Sequence, residues 1–174
     1  MPMHSILART RIGLAALLCL FPHAQDAWSQ VVGETAELDR LRTRAEEAIG
    51  NDDPDGAALS MGRAALMAKQ LAKSHRDDPA AARLYQGAEP LFRAQEHGYR
   101  AVALFRRAGG QLPASSGVCG SLALAQGSLQ QALSLLVPEE QAPADVREHT
   151  KKLREAADDW DTVVAAMISD YQCP

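Results

Sequence analysis

The sequence predicts an all-α fold, an up-and-down bundle of four to five helices. Three observations carry this. Apolar residues recur at three- and four-residue spacing through most of the chain. Two Asp-Pro pairs, Asp53-Pro54 and Asp78-Pro79, are helix start signals: Asp accepts from free amides, and Pro is tolerated at the first helical position. No segment alternates apolar and polar residues as a strand does. Alanine is frequent and aromatic residues are only 5% of the chain, which suits closely packed helices.

The first helix is expected over residues 34–49, with Leu38, Leu41, Ala45 and Ala48 on one stripe and a stop at Gly50-Asn51. The second starts at Asp53-Pro54 and carries Ala57, Met61, Ala64, Ala68 and Leu71. Its last turn holds Lys69, Lys73, His75 and Arg76, the sign that suits a helix C-terminus. The third starts at Asp78-Pro79, with Leu84, Ala88, Leu91, Tyr99, Val102 and Phe105 on its stripe. A kink near Pro90 or a break around His97-Gly98 is expected.

The fourth helix is expected over residues 116–137, with Val118, Leu122, Ala125, Leu129, Ala132 and Leu136 as its stripe. No charged residue occurs from Ala108 to Pro138, so this helix is expected at the centre of the bundle, surrounded by the others. Its glycines, Gly117, Gly120 and Gly127, would then be offset by close backbone approach. The functional alternative is a partner-contacting surface built on Gly120, Leu124 and Gly127. The fifth helix is expected over residues 144–171, with Val146, His149, Leu153, Ala156, Trp160, Val163, Met167 and Tyr171 in strict 3-4 spacing. Its group Asp158, Asp159 and Asp161 reads as a solvated face. Short connections favour antiparallel neighbours.

Residues 1–29 are expected to be a cleavable signal peptide, leaving one helical bundle domain over residues 30–174. Arg9 and Arg11 supply the leading positive charge, and Ile12 to Phe21 is an apolar run of about ten residues, too short to span a membrane. Ala27 and Ser29 fit the small positions of a cleavage site, which makes Gln30 the first mature residue. The mature chain is thus expected to be exported, periplasmic in a Gram-negative bacterium and otherwise secreted, without stable membrane insertion.

Cleavage removes Arg9, Arg11 and Asp26 from 18 basic and 22 acidic residues, leaving 16 and 21 and a formal charge of −5. That argues against nucleic acid, which needs a basic face. It also removes Cys19 and leaves Cys119 and Cys173 as a candidate disulfide. Helix lengths argue partly against the pair. If the last two helices turn tightly at about residue 140, Cys173 overshoots Cys119 by roughly 16 Å, whereas a disulfide needs α-carbons within about 7 Å. The bridge closes only if the fifth helix starts later or the tail after Asp170 folds back.

Asp52-Asp53-Pro54 recurs as Asp77-Asp78-Pro79, and at the same offset Ala57, Leu59, Gly62 and Leu66 meet Ala82, Leu84, Gly87 and Leu91. Either two helices share a start signal, or a short helical unit is duplicated. Tyr85, Phe92, Ala101, Phe105, Ala108 and Pro113 are spaced as in a tetratricopeptide repeat, so residues 85–113 resemble one such helical hairpin. The resemblance implies a protein-binding groove.

Candidate chemistry is sparse. Asn51, Asp53 and Asp55 match the first half of a calcium loop, but the twelfth position is Gly62 instead of a bidentate Glu. A helix cap with first-turn acids is the simpler reading. His149 on the apolar stripe could ligate haem or another metal, with Met61 or Met67 as a second ligand; no Cys-x-x-Cys-His accompanies it. The serines at 115, 116, 121 and 128 lack a nucleophile elbow. No cofactor is implied. The function expected is that of a non-catalytic accessory protein binding an unidentified protein of the cell envelope. The alternative is a small-molecule, metal or haem carrier using the bundle core.

Overall fold

The computed structural model describes residues 26–110 and 117–174, with side chains described from Gly33 onward. These residues form five helices: α1 (Asp26–Gly50), α2 (Pro54–Ser74), α3 (Pro79–Arg107), α4 (Val118–Leu135) and α5 (Ala144–Asp170). The architecture is an all-α, up-and-down bundle. The signal-peptide segment lies outside the described residues up to residue 25. α1 begins before Ser29, so cleavage there would leave a helix starting near Gln30.

Both Asp-Pro starts form as caps. Asp53 Oδ1 accepts from Gly56 N–H at 2.8 Å, and Asp78 Oδ1 accepts from Ala80 and Ala81 at 3.1 Å each. Each such cap contributes about 1 kcal/mol.

Polar contacts at the helix ends fix the alternating directions. His75, at the end of α2, meets Glu34, near the start of α1. Arg106 and Arg107, at the end of α3, meet Asp52 and Asp55 at the start of α2. Gly87 of α3 lies against Leu136 just past α4, while Leu104 approaches Gly117 just before it.

α3 is the central element. It packs on α2 along one side and on α4 and α5 along the other. Fifteen of its residues are buried, Gly87, Pro90 and Gly98 among them. The core divides into two clusters across it. One gathers Leu38, Leu41, Met61, Leu84, Tyr85 and Phe92; the other gathers Leu91, Val118, Leu122, Leu129, Leu136 and Val164.

Four expectations change. α3 runs unbroken through His97-Gly98. Gly98 is a packing site instead, because a Cβ there would stand 2.7 Å from Trp160 Cζ3. The tetratricopeptide-like hairpin is therefore absent: residues 85–107 lie in one helix, and Pro113 falls outside the described residues. α4 is not enclosed. Its predicted stripe is fully buried, but its opposite side faces solvent. Finally, α5 buries Val164 and leaves Val163 47% exposed. Thr150 and Ala157 are buried as well, so the buried row Thr150, Ala157 and Val164 keeps a seven-residue spacing, one position after the expected His149, Ala156 and Val163.

Cys119 and Cys173 form a disulfide with α-carbons 5.4 Å apart. Arg154 Nη1 donates to the Leu133 and Leu136 carbonyls at 3.0 and 3.1 Å, so residue 154 is level with the end of α4. The first turns of α5 thus project past α4, and Val146 packs in the other cluster, beside Leu84 and Tyr85. This shift absorbs most of the overshoot. The tail absorbs the rest: Gln172 takes a left-handed φ of 50°, and Cys173 N–H donates back to Ile168 O at 3.0 Å.

Candidate interaction surfaces

A concavity lies between α2 and α3. It is an open groove of about 350 Å³ lined by Asp55, Ala58, Leu59, Gly62, Arg63, Leu66, Arg93, Glu96 and Arg100. Its apolar part is unusual for a solvated face. Leu59 is 57% exposed and Leu66 53%. They lie seven residues apart, on the same side of α2, opposite the buried row Ala57, Met61, Ala64 and Ala68.

The floor of the groove is polar and organised. The Glu96 carboxylate is buried and accepts from Arg93 Nη1 at 2.9 Å and Arg100 Nη2 at 2.6 Å. Arg93 also faces Glu89, with Nε at 3.4 Å. Gly62 sits over this carboxylate, and a Cβ there would come within 3.2 Å of Glu96 Cδ. At one end Arg107 forks onto both Asp55 oxygens at 2.7 and 2.9 Å. Arg63 has no hydrogen-bond or ion-pair partner among the described residues. The groove was not named by the apolar stripes, although a signal for it existed: Leu59 and Leu66 are large apolar residues that fall off the stripe of α2.

The second surface is the outer face of α4. Gly120, Leu124 and Gly127 share it, and Leu124 is 59% exposed. A Cβ on either glycine would meet nothing within 4 Å. Close packing within the chain therefore does not offset their helix cost. Replacing both by alanine is expected to stabilise the protein by about 0.5–1 kcal/mol each, read as a rise in the urea midpoint with unchanged slope. A fall in the midpoint would mean that these backbones are approached closely after all.

The calcium-loop candidates lie at the α1–α2 turn. Asp53 is engaged as the cap of α2 and Asp55 by Arg107, while Asn51 sits in the turn, its N–H donating to Glu47 and Ala48 carbonyls. Among the described residues no three His, Cys, Asp or Glu side chains gather as a metal site. His149 is half-buried beside a cavity of about 20 Å³ shared with Thr35, Leu38, Tyr85 and Phe92. That is room for about one water. Met61 belongs to the core cluster beneath α1, α2 and α3, and Met67 packs against it, partly buried. Ser121 is buried on α4, and Ser115 and Ser116 fall outside the described residues.

One polar cluster is not foreseeable from local pattern. Glu34 Oε2 accepts from the Tyr85 hydroxyl at 3.0 Å and stands 2.6 Å from His75 Nε2. It joins α1, α2 and α3, and the His75 and Tyr85 rings lie 5.4 Å apart. Burial, reinforced by the Glu34 carboxylate, holds the Tyr85 phenol well above its usual range. Burial also raises Tyr99, with a smaller push from Glu46, and raises Tyr171, where Asp170 adds and Arg106 opposes.

All three tyrosines thus stay neutral in the fold beyond the ordinary 10.0. The unfolded chain ionises there first, so this stability is fully present below pH 10 and is lost as pH rises through the folded values. Phenolate absorbance at pH 10 should stay below half-ionisation in the folded protein. Half-ionisation at that pH would contradict the burial. On the acid side, burial lowers His97 below 6.5, opposed by Glu96. Its contribution is present above pH 6.5 and is lost as pH falls through the lowered value.

The described residues thus form a five-helix up-and-down bundle with a disulfide between Cys119 and Cys173, a mixed apolar and basic groove, and an uncharged open helix face. Comparison with family models, with curated proteins and with solved structures finds no match to the chain.

Proposed function

We propose that this chain is an exported, non-catalytic helical protein that binds another protein of the cell envelope as an accessory factor. The observation that carries the reading is the groove between α2 and α3, where two exposed leucines flank Arg63, which no described residue engages. Exposed leucines at one-face spacing cost solubility unless something covers them, and helix-in-groove contacts use this kind of anchor. Export is supported by the charged, apolar and small-residue order of residues 1–29 and by the Cys119–Cys173 bridge, since disulfides persist in oxidising compartments. Among the described residues no helix is long and apolar enough to cross a membrane. The open face of α4, with Gly120, Leu124 and Gly127, is a second place for contact. The carrier reading centred on His149 draws no support from the small cavity beside it.

Two experiments test this. Expression of the full chain in a Gram-negative host should deliver a periplasmic product whose N-terminus is Gln30; a cytoplasmic product retaining Met1 would sink export. For binding, a photo-crosslinking benzoylphenylalanine replaces Leu66, Leu124 or, as a control, Asp159, in the source cell. A discrete adduct from position 66 or 124 and none from 159 is expected. Monomer alone at every position would remove the protein-binding reading.

A further inference from the structure

We infer that the groove between α2 and α3 is the seat for an acidic amphipathic helix of the partner, its apolar side chains on Leu59 and Leu66 and its carboxylates on Arg63, Arg93 and Arg100. This deepens the protein-binding reading and rests on it. Three independent features of the chain point to this occupant.

The spacing suits a helix. Leu59 and Leu66 are two turns apart on α2, about 10 Å along its axis. That is the repeat at which a facing helix presents its own apolar side chains.

The chain also contains its own template. Leu59, Gly62 and Leu66 of α2 stand at the positions of Leu84, Gly87 and Leu91 of α3, counted from the two Asp-Pro caps. In α3 both leucines are buried, and the side chain of Leu136, just past α4, lies against Gly87. Where it is satisfied, other segments of the chain cover this pattern, Leu84 in the cluster with α1 and α2 and Leu91 in the cluster with α4 and α5. In α2 the same leucines are open.

Charge selects the sign of the partner. The chain as a whole is acidic, at −4, yet three arginines line this groove. Its carboxylates are already engaged, Glu96 by Arg93 and Arg100, Glu89 by Arg93 and Asp55 by Arg107. Arg63 is engaged by no described residue. Each guanidinium has five donors, so Arg93 and Arg100 keep donors for a second carboxylate. A basic segment would face unanswered like charge, which is the usual means of rejecting a wrong partner.

The test uses the full mature chain with its disulfide intact and three labelled helical peptides. All three carry leucines in a one-face stripe; their flanking positions are all Glu, all Gln or all Lys. Fluorescence anisotropy at low salt is expected to rank them Glu, Gln, Lys, with about tenfold between neighbours. Arg63→Glu should cost the Glu peptide about tenfold and help the Lys peptide. Leu59→Ser with Leu66→Ser should abolish binding of all three, and Leu124→Ser on α4 should leave it unchanged. Equal affinity for Glu and Lys peptides, indifference to Arg63→Glu, or no binding of any peptide would overturn the inference. An adduct from position 66 in cells alongside any of those results would leave the protein-binding reading standing and remove only this chemistry. Circular dichroism of each variant separates loss of binding from loss of fold.

Discussion

Replacing Cys119 and Cys173 together by serine is expected to lower stability by about 4 kcal/mol. The bridge closes a segment with a sequence separation of 54, and cross-linking a loop of that length removes about this much free energy from the unfolded state. For a domain of this size the melting temperature should fall by on the order of 10 °C. The loss should also be local in its first effect. The bridge ties the C-terminal tail, beyond the last turn of α5, to the first turn of α4. Phe105 and Tyr171 stack beside it with centroids 4.6 Å apart. Hydrogen exchange in the double variant should therefore accelerate first in the last two turns of α5. Both Cys→Ser single variants should match the double one. A double variant that melts with the parent would mean the helices hold the register unaided.

The second large effect is at Trp160. Its ring lies against the backbone of Gly98 and meets Tyr99 edge-on with centroids 5.0 Å apart. Trp160→Ala should cost about 3 kcal/mol, through lost burial and the cavity left behind. Gly98→Ala alone should cost about 1 kcal/mol. The added methyl would stand 2.7 Å from the ring and force it to move, which outweighs the better helix propensity of alanine. Combined, the two should not add. With the ring gone, the methyl meets open space and Gly98→Ala should stabilise. Equal costs of Gly98→Ala in both backgrounds, read from urea midpoints, would show that the close approach is not what requires glycine.

These two positions mark the boundary between what was legible and what was not. Gly98 in a helix reads locally as a weak point, and its residue type alone suggested a break. Only the neighbour across the interface makes it a packing site. Cys119 and Cys173 read as a candidate disulfide that a tight turn between the last two helices would hold too far apart. The eight residues from Leu136 to Pro143 and the projecting start of α5 change the register. The α2–α3 groove is a similar case. The alanine stripe of α2 marked its buried face, and the two leucines off that stripe were visible. Their relation to Arg63, Arg93 and Glu96 depends on how α2 lies on α3. The Glu34–His75–Tyr85 cluster is less accessible still, since its members are separated by 41 and 51 positions.

By itself the sequence determined the helical class, the Asp53 and Asp78 starts, and the buried stripes of α2 and α4. These follow from short-range rules: amide donors in a first turn need acceptors, and a 3.6-residue repeat puts every third or fourth side chain on one face. Only the tertiary structure decided which helix is central, what each remaining face meets, and whether two distant cysteines coincide. α4, uncharged throughout, was expected in the middle and lies at the edge, while α3, with its charged residues, takes the centre. A periodic pattern specifies one buried face per helix. The number of neighbours a helix acquires depends on connection lengths and on side chains far away in the chain, and no local repeat records either.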